Sequence, residues 1–449
     1  MHQTHDILII GGGASAALTA WNLATRFGRR CTIVDPSDRP AFGLAYATPS
    51  LKHLLNVAAK GMSAVADDPD HFLRWMRENV DSKTPGDAFV PRAIYGLYLR
   101  HLYCAAAPEH VHTTVTACRR GTGAFHLTFA DGREMTARQV VLALGHFAQA
   151  RLPGISPEAD NSGRYHHNAW DNRAYAAIAP GDEVVLIGTG LTTVDVLMRL
   201  RESGHRGRIT AISRRGLFPA RHTSSEPPCA CVVKPGETPR TATAYLRTFN
   251  RARKAGVTWR AAVDSLRPVT NELWLALPEI EQARFRRHLQ RRWDVVRHRM
   301  APHIAEIVDA ERATGTLRVL DGHVSALVPT ADGLVVTATS RGQSFAIEAA
   351  HAINCTGPSL NYRRAASPLL QGLLAAGMLA PGFGGSGLLC TPRGGILDQS
   401  RRPVPGLFTI GPARLGILFE SIAIPEIRQQ AQDLARLLAE ATQERKDAA

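Results

Sequence analysis

The sequence predicts an α/β chain of two doubly wound units, each on a parallel sheet, with a helical segment interrupting the second. Three observations predict it. Two glycine-rich boxes each sit between a short β-branched run and a helix-forming run, one near the start and one in mid-chain. After each box comes an Asp-Gly turn between alternating apolar runs, then an apolar strand ending in glycine. Residues 217–316 read instead as loops and helices, with Pro227-Pro228 and Pro235 to Pro239 marking the loops.

In the first unit, Asp6 to Ile10 is one buried parallel strand, and Ala17 to Phe27 is a helix. The box between them, Gly11-Gly12-Gly13-Ala14-Ser15-Ala16, has the form G-x-G-x-x-A. Gly11 makes the tight turn, Gly13 lets the backbone approach a pyrophosphate, and Ala16 is small enough for close helix–strand packing. The helix start then offers unpaired N–H groups and a partial positive charge to the phosphates. Cys31 to Asp35 is a second strand, and Asp35 ends it where a carboxylate takes the adenosine ribose hydroxyls. A dinucleotide site this near the first residue is expected to hold FAD. Phe125 to Ala130, the Asp131-Gly132 turn, Glu134 to Ala137 and the strand Val140 to Gly145 complete the unit.

The second unit repeats the plan. Val184 to Ile187 is a strand, Gly188-Thr189-Gly190-Leu191-Thr192-Thr193 the box, and Val194 to Arg201 the helix. The next strand, Ile209 to Ser213, ends in Ser213-Arg214-Arg215 where the first unit has an acid. A carboxylate there would repel the 2′-phosphate of NADP, whereas Ser and Arg bind it, so NADPH is the expected nucleotide. Val324 to Val328, the Asp332-Gly333 turn, Leu334 to Thr339 and the strand Ala352 to Gly357 follow. Two such units describe a flavoprotein with two Rossmann-like domains, a glutathione-reductase-like FAD domain and an NAD(P) domain. The FAD domain is expected at 1–150 and 351–449, the NAD(P) domain at 151–216 and 317–350, and the helical insert at 217–316. The chain returns to the FAD domain at Gly406 to Gly411-Pro412 before a terminal helix over Phe419 to Leu438. Gly145 and Gly411-Pro412 join the FAD site, and Pro412 stands where a ribityl-binding Asp is usual.

Within the insert, Thr241 to Ala255 and Pro278 to Arg312 read as helices, the second rich in Arg. A solvated basic face is the simplest account of it. The sharper reading has the insert cap the flavin and offer Arg297 or Arg299 to an anionic substrate or to NADPH. Trp259, Trp274, Phe285 and Trp293 read as core rather than as a stacking platform.

The chain has 449 residues and a formal net charge of +14, with 45% apolar and 20% charged residues. This length supports two or three domains, and the composition is that of a globular protein. The positive balance favours anionic small molecules, but no fold signature for nucleic acid accompanies it. Seven scattered cysteines fit neither a disulfide framework nor a zinc site, and Cys229-Ala230-Cys231 lacks the spacing of a dithiol centre. Met1 to Asp6 has no Lys or Arg, so the apolar run behind it is not expected to be a secretory leader. No apolar run reaches the roughly 20 residues of a membrane span. A cytoplasmic protein with reduced thiols, no metal and no membrane partner is expected.

Several stretches together carry a resemblance: Gly43 to Tyr46, His53 to Val57, Met62-Ser63, Pro69 to Trp75, Phe89 to Arg92 through Tyr98-Leu99-Arg100, Ser213 to Gly216, Trp293 to Arg299 and Pro425 to Arg428. They resemble a bacterial family of FAD/NAD(P)-binding oxidoreductases across nearly the whole chain. Pro91-Arg92 leading to Tyr98-Leu99-Arg100 is also similar to a stretch in flavin-dependent N-hydroxylating and Baeyer–Villiger-type monooxygenases, where it lies beside FAD and nicotinamide. The resemblance implies a monooxygenase that uses FAD, NADPH and O₂ on a small polar or anionic substrate. A plain NADPH:acceptor reductase and a non-catalytic nucleotide-binding regulator are the alternatives. Arg92, His53 and Asn56 are the candidates beside the flavin, with His146 and Glu420 behind them.

Overall fold

The computed structural model describes residues 4–223 and 227–447; Met1 to Gln3, part of the segment read for a leader, lie outside the described residues. Strand β1 (Thr4–Ile10) runs into helix α1 (Ala14–Phe27) and back to β2 (Thr32–Val34), parallel to β1. Ile7 to Ile10 are buried on both faces, which is why this strand is a continuous apolar run. A long crossover carries α2 (His71–Asn79) and α3 (Arg92–Ala106) before β3 (Glu109–Val111). Then β4 (Val115–Arg120), β5 (Phe125–Phe129) and β6 (Glu134–Leu142) form a meander. The two runs expected at 134–137 and 140–145 are one strand, because β6 pairs antiparallel with β5 at its start and parallel with β1 along its length.

The chain leaves through β7 (Phe147–Gln149) and enters a second parallel sheet at β8 (Tyr165–His166) and β9 (Val184–Ile187). Helix α4 (Leu191–Glu202) and strand β10 (Ile209–Ser213) follow. Six helices come next: α5 (Ala242–Lys254), α6 (Trp259–Leu266), α7 (Thr270–Ala276), α8 (Glu279–His288), α9 (Gln290–Arg297) and α10 (Pro302–Ala313). The single helix expected over 278–312 is therefore three. Leu289 breaks the first from the second, Met300 bridges in parallel to Arg221, and Pro302 starts the third at its first turn. Ile304, Ala305 and Val308 of α10 pack on Leu186, Ile209 and Leu317. Helix α10 is thus the crossover helix from β10 to β11 (Leu317–Asp321), and the insert proper ends near Met300 rather than at 316.

A three-stranded meander, β12 (His323–Pro329), β13 (Leu334–Ser340) and β14 (Gln343–Ala349), leads to β15 (His351–Asn354). β15 pairs with β9 and β8, so the FAD unit does not resume at 351 as expected. The chain crosses back at β16 (Pro358–Ser359), which pairs with β7 in a two-stranded ribbon between the units. β17 (Gly395–Leu397) and β18 (Pro403–Thr409) then join the first sheet, in the order β17-β18-β6-β1-β2-β3 with β4 and β5 beside β6. The terminal helix α11 (Ile424–Asp447) packs against α1 and starts five residues after Phe419. One face of the first sheet buries Tyr95, Tyr98 and Phe72 under α1, α3 and α11; the other buries Leu127, Leu370 and Leu407. Among the described residues no helix is long and apolar enough to cross a membrane.

Candidate functional site: two dinucleotide boxes joined by one helix

The first box is shaped by its neighbours. Gly11 has φ +99°, and a Cβ there would stand 2.4 Å from the Ala143 carbonyl oxygen, so only glycine fits. The Gly12 N–H donates to Asp35 Oδ2 at 2.7 Å, which fixes the carboxylate at the end of β2. Gly13 differs from both: a Cβ there would meet only Gly43 Cα, at 3.6 Å. Its open side is a cradle for a pyrophosphate. Gly13 caps α1 with no side chain satisfying the first turn, so the N–H groups of Ala14, Ser15 and Ala16 remain for phosphate oxygens. Gly411, with φ +72°, brings the return strand down on this turn, where a Cβ would stand 2.5 Å from Ser15 Oγ. Gln430 accepts the Gly411 N–H at 3.0 Å, and Pro412 is buried behind it. A Cβ on Gly145 meets nothing within 4 Å, and its carbonyl accepts from Tyr362 at 3.0 Å. These features fit FAD as the resident group.

The second box has the same plan. A Cβ on Gly188 would stand 2.4 Å from the Cys355 carbonyl oxygen, while one on Gly190 meets nothing within 4 Å. Gly190 caps α4 without a side-chain partner, leaving the N–H groups of Leu191 and Thr192 exposed to a ligand. Thr189 donates to the Leu217 carbonyl at 2.6 Å and shares a 2.7 Å hydrogen bond with Ser213. Either hydroxyl can be the donor of that pair. Ser213 thus lies against the second box itself. Arg214 and Arg215 are exposed beyond it, and among the described residues neither pairs with a carboxylate.

The candidates for chemistry beside the flavin converge elsewhere. His53 is 3% exposed, and its Nε2–H donates to the Asp195 carbonyl at 2.9 Å. Its Nδ1 then accepts from Thr48 at 2.7 Å, so both ring nitrogens are occupied. Burial lowers the His53 pKa, which keeps the ring neutral. Arg92 Nη1 lies 2.8 Å from Asp195 Oδ2, and its Nε donates to the Leu54 carbonyl at 3.2 Å. Asn56 offers its carbonyl to His222 at 3.0 Å. His53 and Arg92 thus fasten the first unit to α4 of the second through Asp195. His146 is pushed down to about 4 by burial.

The insert is where sequence reasoning went furthest astray. Arg297 is spent on Glu420, with bonds of 2.9 and 2.7 Å between two buried side chains. Arg299 pairs with Asp264 at 3.0 Å through two nitrogens. Neither is free for an anion. Arg291, one of the arginines of that Arg-rich stretch, instead reaches the second box and donates to the Thr189 carbonyl and hydroxyl at 3.1 and 3.0 Å. The short helix α9 therefore touches the NADP-type loop at one end and the Glu420 loop behind Gly411 at the other. Asn271 secures the same loop by accepting the Phe419 and Glu420 N–H groups at 3.1 and 2.9 Å. Asp294, between Arg291 and Glu420, has its carboxyl pushed up to about 6 by burial. The aromatic residues expected as core, Trp259, Trp274, Phe285 and Trp293, are walls of a 390 Å³ cavity, together with Phe419.

Residues 8–147 match a family model described as FAD-NAD(P)-binding. No curated protein matches the chain. Among solved structures, the ornithine hydroxylase of Pseudomonas aeruginosa is similar at 16% identity, with a TM-score of 0.68 over 98% of this chain and 100% of that one. The ornithine N-hydroxylase of Kutzneria sp. 744, described with reduced FAD, NADP⁺ and L-ornithine, is similar at 14% identity and a TM-score of 0.66, over 98% and 100%. The bacillithiol disulfide reductase of Bacillus cereus follows at 14% identity and 0.58, over 98% and 100%. The chain therefore has the fold of two-dinucleotide-domain flavoproteins, and residues 8–147 form an FAD/NAD(P)-binding domain.

Proposed function

We propose that the chain is an FAD-dependent, NADPH-using monooxygenase. The carrying observation is helix α9, which holds the second nucleotide loop through Arg291 and the loop behind Gly411 through Arg297. One rigid element thereby ties the nicotinamide site, the flavin site and the insert cavity together. The likeness to two ornithine hydroxylases supports this reading through fold, and the Pro91-Arg92…Tyr98-Leu99-Arg100 stretch supports it through sequence.

In the overall reaction, substrate, O₂, NADPH and a proton give oxygenated substrate, NADP⁺ and water. FAD supplies the two-electron chemistry that links hydride to O₂. The chain's residues bind and orient. Gly13 and the first turn of α1 hold the FAD pyrophosphate, with Asp35 on the ribose. Gly190 and the first turn of α4 hold that of NADPH, with Arg214 and Arg215 on the 2′-phosphate. Arg92 and His53 keep the two units in register, as positioning residues rather than proton donors. The Glu420 loop, clamped by Arg297 and Asn271, keeps water from the flavin edge. Arg297 and Arg299, expected to meet an anionic substrate or NADPH, are both paired with carboxylates, so neither supplies that contact.

The test is NADPH oxidation with and without O₂. The monooxygenase reading expects NADPH to be consumed with O₂, with little H₂O₂ when substrate is oxygenated. Slow reaction with O₂ and fast turnover with quinone or dye acceptors would favour the reductase.

A further inference from the structure

The two boxes correspond residue by residue, and the correspondence points to the ribose end of the second. In the first, the middle residue Gly12 donates to Asp35 at the end of β2, a carboxylate in position for ribose hydroxyls. In the second, the middle residue Thr189 meets Ser213 at the end of β10, at 2.7 Å. By this correspondence the second nucleotide has its ribose at the Thr189–Ser213 contact, with a 2′-phosphate beside it. Arg291 reaches the same spot from the insert. Its Nη2 donates to the Thr189 carbonyl and hydroxyl at 3.1 and 3.0 Å and to the Leu217 carbonyl at 2.5 Å. Its Nε and Nη1 have no hydrogen-bond partner among the described residues, and in this half-buried side chain neither is sealed from solvent. A ligand can therefore reach them. Among the described residues no carboxylate pairs with Arg291, Arg214 or Arg215. Asp321, beside Ser213 in the second sheet, accepts from Ser340 at 2.8 Å instead. Burial lowers the Arg291 pKa; Asp294 opposes that, and the charge of Arg214 adds to it. Positive groups held together with no acid to offset them repel, and an anion relieves the repulsion.

We propose that Arg291 sets the nucleotide specificity of the second site: its open N–H groups take the 2′-phosphate of NADPH together with Arg214 and Arg215, and the phosphate thereby tightens the hold of the insert on the second unit. This rests on the NADPH reading of that site. Three oxygens already fix the Nη2 end of the guanidinium, so little side-chain freedom is left to lose when the phosphate binds. NADH offers only a hydroxyl at that position and gains no charge-assisted contact. Helix α9 carries Arg291 near one end and Arg297 at the other, so the contact reaches through the helix to the Glu420 loop.

The experiment is isothermal titration calorimetry of the FAD-loaded protein with NADP⁺ and NAD⁺, which differ only in the 2′-phosphate and bring no hydride to the flavin. The parent is expected to bind NADP⁺ at least about 10-fold more tightly than NAD⁺. Arg291→Gln keeps an amide donor and removes the charge; it is expected to weaken NADP⁺ by about 10-fold and to leave NAD⁺ within about 2-fold. A preference retained in full by Arg291→Gln overturns the role of Arg291 and leaves the NADPH reading standing. Equal weakening of both nucleotides assigns Arg291 to the support of the Thr189 turn and overturns it as well. A parent with no preference overturns the NADPH reading, and the role of Arg291 falls with it. A second measurement needs no variant. With each nucleotide at saturation, NADP⁺ is expected to slow amide hydrogen exchange over residues 290–297 more than NAD⁺ does, and equal exchange overturns the tie to the insert. Neither measurement consumes NADPH or O₂, so both outcomes are separate from the choice between monooxygenase and reductase.

Discussion

A side chain at Gly13 would extend into the space beside Gly43, the one open side of the first box. Gly13→Val is therefore expected to fold and to lose nearly all bound FAD, read as flavin absorbance per chain after desalting. At the second box the matching contrast is between cations. Arg214 and Arg215 are exposed and free of carboxylates among the described residues, whereas Ser213 is half-buried against Thr189. A charge-assisted contact contributes about 1.5–3 kcal/mol, so Arg214→Ala with Arg215→Ala should cut the preference for NADPH over NADH by roughly 10- to 150-fold. Steady-state KM values for the two nucleotides check this, and an unchanged ratio would remove both residues from the site. These positions were legible in the sequence because each depends only on its own strand–turn–helix.

Helix α9 shows what the elements add. At 3.6 residues per turn its arginines are spread round the helix, and Arg291 meets backbone, Arg297 meets Glu420 and Arg292 meets solvent. Removing one member of a buried ion pair strands the other, so Arg297→Met should cost about 3–5 kcal/mol in urea unfolding. Arg297→Met combined with Glu420→Leu should recover part of that loss. Asp294, on the same helix, predicts a pH effect of definite sign. Burial pushes its carboxyl up to about 6 in the folded protein, well above the ordinary carboxylate range, so the folded state prefers the protonated form. The stability associated with that proton is full below about pH 4, is lost as pH rises to 6, and then stays lost. Asp294→Asn should accordingly be more stable than the parent at pH 8 by on the order of 2–3 kcal/mol, with the gap closing towards pH 4. Thermal unfolding across that range checks it. The sequence showed a basic helix; it did not show which charges were already paired, since Glu420 and Asp264 lie far from α9 or across the insert.

At the scale of the molecule, the two-unit plan was readable from its repetition, and the errors fall where the units meet. The repeat put the strand over 352–357 in the second unit, where β15 lies, but the boundary drawn at 351 cut it off, and α10 was merged into the insert because its apolar face packs on a distant sheet. The aromatic cluster was read in part: Trp274 is buried core as expected, while Trp259, Phe285 and Trp293 are half-buried. The seam between the units is held by Asp195, which takes the Arg92 guanidinium on its carboxylate and the His53 ring on its carbonyl. Asp195→Asn keeps the shape of that contact and removes its charge, leaving Arg92 neutral acceptors only, the Leu54 carbonyl among them. The FAD box and the NADPH box each remain intact in this variant, so flavin content and the KM for NADPH should change little. What should change is the alignment of one site with the other, because hydride transfer requires the reacting atoms within about 3–3.5 Å and a displacement of about 1 Å can cost on the order of 100-fold. Anaerobic flavin reduction by NADPH in a stopped-flow instrument should therefore slow, and the aerobic enzyme should release more H₂O₂ per NADPH consumed. A variant with unaltered reduction rate and unaltered H₂O₂ yield would show that the Arg92–Asp195 contact supports the fold without setting the geometry of the reaction.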